Sequence, residues 1–114
     1  MSYAIHTVPM SRVKAAYAFY FPEGHWFDPS SCRFFKTRLP RSAKMLVPSE
    51  AGEAIYMFIS RETNPSGKTA YSIRHIDCNT RRVETVGRGF HQYASRSEAA
   101  SDMGKLISLM NKAD

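Results

Sequence analysis

The side chains able to do covalent or metal chemistry are few and scattered. Four histidines, His6, His25, His75 and His91, are spread over the chain, and no two have the spacing of a zinc-binding pair. Cys32 and Cys78 form no CxxC unit, and two thiols make no disulfide framework in 114 residues. Cys78 follows His75 by three residues, but both flank a tight polar turn, and a nucleophile also needs an aligned base and an oxyanion donor. The carboxylates Glu53, Glu62 and Glu84 stand in no recognisable acid and base arrangement. "NPSGKT" carries a Gly-Lys-Thr but lacks the earlier glycine of a phosphate loop, and Gly87 and Gly89 do not complete a dinucleotide fingerprint. The expectation is therefore a protein without catalytic residues, metal or cofactor.

What remains is charge. Sixteen Lys and Arg against ten Asp and Glu give a net charge of +6, which favours acidic partners. No basic run reaches the length of a nucleic-acid tail, so folding must gather the charges if they act together. A hydrophobic fraction of 43% and an aromatic fraction of 12% belong to a globular chain, and 114 residues correspond to one domain. Pro9, Ser11, Arg12 and Lys14 interrupt what a signal peptide would need, and no apolar run is long enough to span a bilayer. A reducing cytoplasm, the cell's own or a host's, is the expected compartment.

The elements that must position the charges follow from periodicity. "SYAIHTVP" alternates as a short strand. "RVKAAYAFYF" places Val13, Ala16, Tyr17 and Tyr20 at helical spacing, although its aromatics suit a strand equally, and Pro22 ends it. A Pro- and Gly-rich loop carries the tryptophan. "CRFFKTRL" alternates up to Pro40, and "KMLV" adds a short edge segment. "EAIYMFIS" is apolar on both faces, as in a central strand. "NPSG" turns the chain into "TAYSIRHI", "DCNT" turns it again, and "RRVETVG" completes an antiparallel meander over residues 53–87. Ser95 and Glu98 then have the spacing of a capping box, and Ala99, Met103, Leu106 and Met110 share one face, with Ala100 and Ile107 beside them, as an apolar stripe. Gly104, within that helix, is expected to let it approach the sheet closely.

The predicted fold is thus α+β, an antiparallel sheet of three to five strands with the C-terminal helix on one face. If Phe35, Leu39, Tyr71, Ile73 and Val83 meet that helix, alternation sets Lys36, Arg38, Arg74 and Arg82 on the opposite face, interleaved with Phe34 and Tyr56. Arg61, Lys68, Arg81 and Arg88 add charge from the turns around the rim. The predicted partner-binding residues are seven: Lys36, Arg38, Lys68, Arg74, Arg81, Arg82 and Arg88.

The order of "YSIRHIDCNTRRVETVGRGFHQYASRSEAA" resembles the three-stranded arm-binding domain of phage integrases, in which a "Y-x-V-R" strand, a polar turn, a basic strand and a helix start follow one another. That likeness implies a sheet that enters the DNA major groove. Segments like "RFFKTR", "NPSGKTAYSIRHID" and "VETVGRGFHQYASRSEAA", in this order, also resemble short proteins of phages and plasmids. This second likeness implies a mobile-element accessory protein that binds without catalysis. The expected partner is a host protein or nucleoprotein complex, as for an inhibitor of a CRISPR effector or a restriction system. The alternative is direct binding of DNA or RNA.

Overall fold

A computed structural model describes residues 2–24, 37–89 and 92–112. Its elements are β1 (Tyr3–Pro9), α1 (Met10–Tyr20), β2 (Ser42–Pro48), β3 (Ile55–Thr63), β4 (Thr69–Asp77), β5 (Arg82–Val86) and α2 (Arg96–Lys112). The strands form one sheet in the order β1-β2-β3-β4-β5, every neighbouring pair antiparallel. The α+β class is therefore as the sequence predicts. "KMLV" falls within the second strand, and "SYAIHTVP" forms the edge.

A helix covers each face: "RVKAAYAFYF" takes the helical of its two readings, and its packing on the second face was not part of the expected architecture. Met10, Val13 and Tyr17 recur at helical spacing and are the buried residues of α1. They pack with Val8, Ala43, Met45, Tyr56, Phe58, Ile76 and Val83. Phe21 closes α1 by donating its N–H to the Tyr17 carbonyl at 2.9 Å, and its ring stacks on Tyr17 with centroids 4.9 Å apart. The opposite face carries Leu46, Ile55, Met57, Ile59 and Ile73 beneath Ala99 and Ile107 of α2. Alternation along β3 thus feeds two cores, Tyr56 and Phe58 one way and Ile55, Met57 and Ile59 the other.

The turns are built by side-chain oxygens that replace missing ladder bonds. Asn64 Oδ1 accepts from the Ser66 N–H at 3.1 Å and the Lys68 N–H at 3.0 Å, with Gly67 in the left-handed region at φ +84°. Asp77 Oδ1 accepts from the Asn79 and Thr80 N–H groups. After Val86 the chain leaves the sheet and rejoins the same edge at Tyr93, whose backbone pairs with Tyr71.

α2 opens with half of the expected box. Ser95 Oγ accepts the Glu98 N–H at 3.2 Å, while the Glu98 carboxylate turns to Arg88. Asn111 near its end accepts the Tyr3 N–H at 2.7 Å, tying the helix across the sheet to β1. Gly104 does not serve close packing: it is exposed, and a Cβ built there meets nothing within 4 Å.

Candidate functional site

The ladder between β2 and β3 is short, and its end shapes a cationic depression. β2 pairs with β3 only from Lys44–Leu46 against Ile55–Met57, and strand pairing resumes at Arg38 opposite Arg61. Leu39, Pro40 and Arg41 bow outward between the two points. Pro40 has no N–H for a ladder, and the Arg41 carbonyl accepts instead from Met10 N–H at 2.9 Å. The opening is a cleft of about 440 Å³ lined by residues 39–44, Met57, Phe58, Ile59, Arg96 and Met103.

Its chemistry is an apolar floor under a cationic rim. Met57, Ile59 and Met103 belong to the α2-side core, whereas Arg41, Lys44 and Arg96 bring three positive charges and the described lining residues include no carboxylate. Lys44 Nζ is held by Thr7 Oγ1 at 2.7 Å. Arg38 and Arg61 add to this end of the sheet. They exchange backbone hydrogen bonds of 2.7 and 2.9 Å, so two guanidinium-bearing side chains stand directly opposite one another on one face. Like charges so placed repel, and an anion relieves that cost. Among the described residues the ion pairs involve Glu62, Arg74, Arg82, Glu84, Arg88, Glu98 and Asp102, and none of the five cations at the cleft.

The seven cations singled out from sequence do not share a surface. Lys36, with Phe34 and Phe35, lies outside the described residues. Arg38 and Lys68 are exposed near the β3–β4 turn, and Arg81 and Arg82 are exposed at the far end of β4. Eight strand steps separate the two ends, roughly 27 Å. Arg82 is 72% exposed and sits 3.8 Å from Glu84 on the α2 side. Arg81 adopts φ +59°, donates to the Cys78 carbonyl and lies over the Tyr20 ring at 4.7 Å. Arg88 binds Glu98, lies 3.6 Å from Asp102 and covers the Tyr93 ring at 5.1 Å, so it fastens the loop after β5 to α2.

Arg74 is the clearest correction. It is 1% exposed, on the α1 side, with Nη2 2.6 Å from Glu62 Oε2, Nε donating to Ser60 Oγ at 3.1 Å and Nη1 to Thr85 Oγ1 at 2.7 Å. Ile73 and Val83 were expected on one face, yet Ile73 packs under α2 and Val83 under α1. Arg74 shares the face of Val83, and Tyr56 is buried there too. Among the described residues the open basic sheet face that the integrase likeness implies does not form, since Arg74 and Tyr56 are buried and each face carries a helix. Arg41, Lys44 and Arg96 were missed, and Arg61 was read as a rim cation but not counted among the seven. Alternation in "SAKMLV" marks Lys44 as facing α2, but the slipped pairing that opens the cleft leaves no mark in either strand alone.

The potential nucleophile and base are muted by burial. Cys78 is fully buried, and loss of solvation raises its thiol pKa from 9.0 to about 11, so it stays protonated at neutral pH. Burial also lowers the His75 pKa against the opposing pull of the Asp77 and Glu84 carboxylates, and its Nδ1 has no hydrogen-bond partner. Among the described residues no group of three His, Cys, Asp or Glu could hold a metal ion, and no helix is long and apolar enough to cross a membrane.

No curated protein and no solved structure matches the chain. A family model does, over residues 9–103, a span from the start of α1 through Met103 that contains every residue of the cleft, and the chain accordingly belongs to the family of unknown function DUF7447.

Proposed function

We propose that the protein is a non-enzymatic binding module that takes an acidic partner at the cleft between β2, β3 and the start of α2. The observation that carries this reading is the gathering of Arg41, Lys44 and Arg96 around an apolar floor, with the Arg38–Arg61 pair at the same end of the sheet and no carboxylate among the described lining residues. Such a surface suits carboxylates presented beside apolar side chains, as on an acidic face of a host protein or nucleoprotein complex. The phage and plasmid likeness of the segments supports an accessory role in which the module blocks a host defence or nucleic-acid machine.

Direct binding of DNA or RNA is the second reading. The cationic rim supports it, but among the described residues the cleft offers no open aromatic stacking platform: Phe58, the one aromatic of that lining, is buried in the α1-side core. A nucleic acid would be held through phosphates, and its affinity would fall steeply with salt.

The test compares the purified protein with an Arg41→Glu/Arg96→Glu variant in capture from host lysate, alongside titration with duplex and single-stranded oligonucleotides at low and moderate salt. The proposal expects a stoichiometric protein partner that the variant loses, and no oligonucleotide binding at moderate salt. Capture that survives the charge reversal, or capture of nucleic acid alone, overturns it.

A further inference from the structure

We propose that the protein forms a two-fold symmetric dimer by pairing the outer edge of β1 with the same edge of a second copy, which joins two five-stranded sheets into one of ten. The backbone of β1 determines which groups are available. The Ser49 N–H donates to the Ser2 carbonyl and the Met10 N–H to the Arg41 carbonyl, both at 2.9 Å, so even-numbered residues of this strand point inward to the sheet. The register from Tyr3↔Pro48 to Pro9↔Ser42 is unbroken, so the odd residues point outward throughout. The Tyr3 N–H is already taken by Asn111 Oδ1 at 2.7 Å, and Pro9 has no N–H. Ile5 and Thr7 remain, each with a donor and an acceptor facing out.

These four groups fit a second copy in one register. A two-fold axis through His6 sets Ile5 opposite Thr7 of the other chain, and each N–H donates to the other's carbonyl. Symmetry repeats the pair, giving four hydrogen bonds with no donor left over. An axis through Ile5 instead wastes the occupied Tyr3 N–H, and one through Thr7 sets the donorless Pro9 opposite Ile5.

The edge also lacks the devices that keep strands apart. Tyr3–Pro9 contains no Lys, Arg, Asp or Glu, its proline comes last, and Ile5 is 43% exposed. The opposite edge, β5, is five residues long and carries Arg82 and Glu84. One edge of the sheet is thus guarded and the other is open. The outward groups of Ile5 and Thr7 complement themselves about a single two-fold axis, and a strand without Lys, Arg, Asp or Glu brings no like charges together when it meets its own copy, which is why the occupant is assigned as a second copy.

The experiment is sedimentation of the full chain over a concentration range from low micromolar to several hundred micromolar. Wild type is expected to move at twice the chain mass, whereas Ile5→Lys and Thr7→Pro each weaken association at least tenfold with unchanged circular dichroism. Both positions are exposed and their N–H groups point away from the sheet, so either variant alone suffices should the other fail to fold. Mild oxidation of His6→Cys is expected to link two chains through residue 6, because cross-strand Cβ atoms about 4.5–5.5 Å apart lie near disulfide reach. A monomer throughout the range, a dimer unaffected by both edge variants, or an Ala4→Cys chain that crosslinks in preference to His6→Cys would overturn the proposal.

Discussion

The Tyr93 hydroxyl occupies the space that a side chain on Gly87 would need. A Cβ built on Gly87 collides with Tyr93 Oη, and Gly87 itself sits at φ +76°, where L-residues are strained. The hydroxyl accepts the Arg88 N–H at 3.0 Å and donates to Asp102 Oδ2 at 2.9 Å, so one fully buried tyrosine fixes the loop after β5 to α2. Burial raises the phenol's pKa, and the bond to Asp102 pushes in the same direction. The phenol therefore stays protonated as donor. Gly87→Ala is expected to destabilise the fold by about 2–4 kcal/mol, the backbone strain and the displaced tyrosine adding together. Tyr93→Phe, which keeps the ring and loses only the two hydrogen bonds, is expected to cost roughly 1–3 kcal/mol. Urea unfolding of both variants checks the order.

The Arg74–Glu62 pair is buried on both sides, with side chains 2% and 1% exposed. Arg74→Met and Glu62→Leu are each expected to destabilise by about 3–5 kcal/mol, since each removes the 2.6 Å contact between two buried charges. The double variant is expected to recover most of that loss, because it removes both desolvation costs at once. Chemical denaturation of the three variants measures the coupling directly. Double-variant stability equal to the sum of the single losses would show that the two side chains act independently.

The fate of Arg74 also shows how far the sequence could be read. Alternation correctly located the strand "TAYSIRHI" and the arginine's position within it. It did not tell which face lay open, because that depended on whether "RVKAAYAFYF" folded as helix or strand. Once α1 covers a face, every polar residue of that face must be paired, and Ser60, Glu62, Ser72 and Arg74 are the buried polar residues of the sheet. The turns after Thr63 and Asp77 and the Ser95 cap were legible because a local side-chain oxygen makes each of them. The cleft was not, because it arises from a slip between two strands distant in sequence, a relation that no single window of residues contains.

Gly104 offers the opposite case, a glycine that nothing requires. It lies mid-helix and exposed, and a methyl group there meets no atom within 4 Å. Gly104→Ala is expected to stabilise the protein by about 0.5–1 kcal/mol through the reduced entropy of the unfolded chain and better helix propensity. A rise in urea midpoint at unchanged slope would confirm it, whereas a fall would mean that the helix surface at Gly104 is crowded after all.

Cys78 links stability to alkaline pH. The folded thiol ionises near 11, above the 9.0 of an ordinary thiol, so between these values the unfolded chain has lost a proton that the folded chain keeps. Stability is then fully present below pH 9 and falls as the pH rises toward 11. Cys78→Ala is expected to flatten that part of the profile at some cost in packing, since the residue is fully buried in the α1-side core. Alkylation supplies an independent readout. Site-resolved labelling of Cys78 at pH 8 is expected to follow the rate of unfolding and to become fast only when urea opens the chain.

His75 sets the acid side with the opposite sign. It lines an apolar recess of about 400 Å³ with Met57, Val86, Leu106, Leu109 and Met110, and the charged groups facing it are Glu84, directly across the ladder, and Asp77. Burial outweighs those two carboxylates and holds the folded pKa below 6.5, so on acidification the unfolded chain takes up a proton before the folded one does. The stability that His75 contributes is therefore present above pH 6.5 and is lost as pH falls from there through the folded pKa. His75→Leu keeps an apolar side chain in the recess and removes the titrating group. Its unfolding free energy is expected to decline less than that of wild type between pH 7.5 and pH 5, and the His75 imidazole proton resonances of wild type are expected to titrate below 6.5. Parallel declines in wild type and variant would place the acid sensitivity outside the His75 recess.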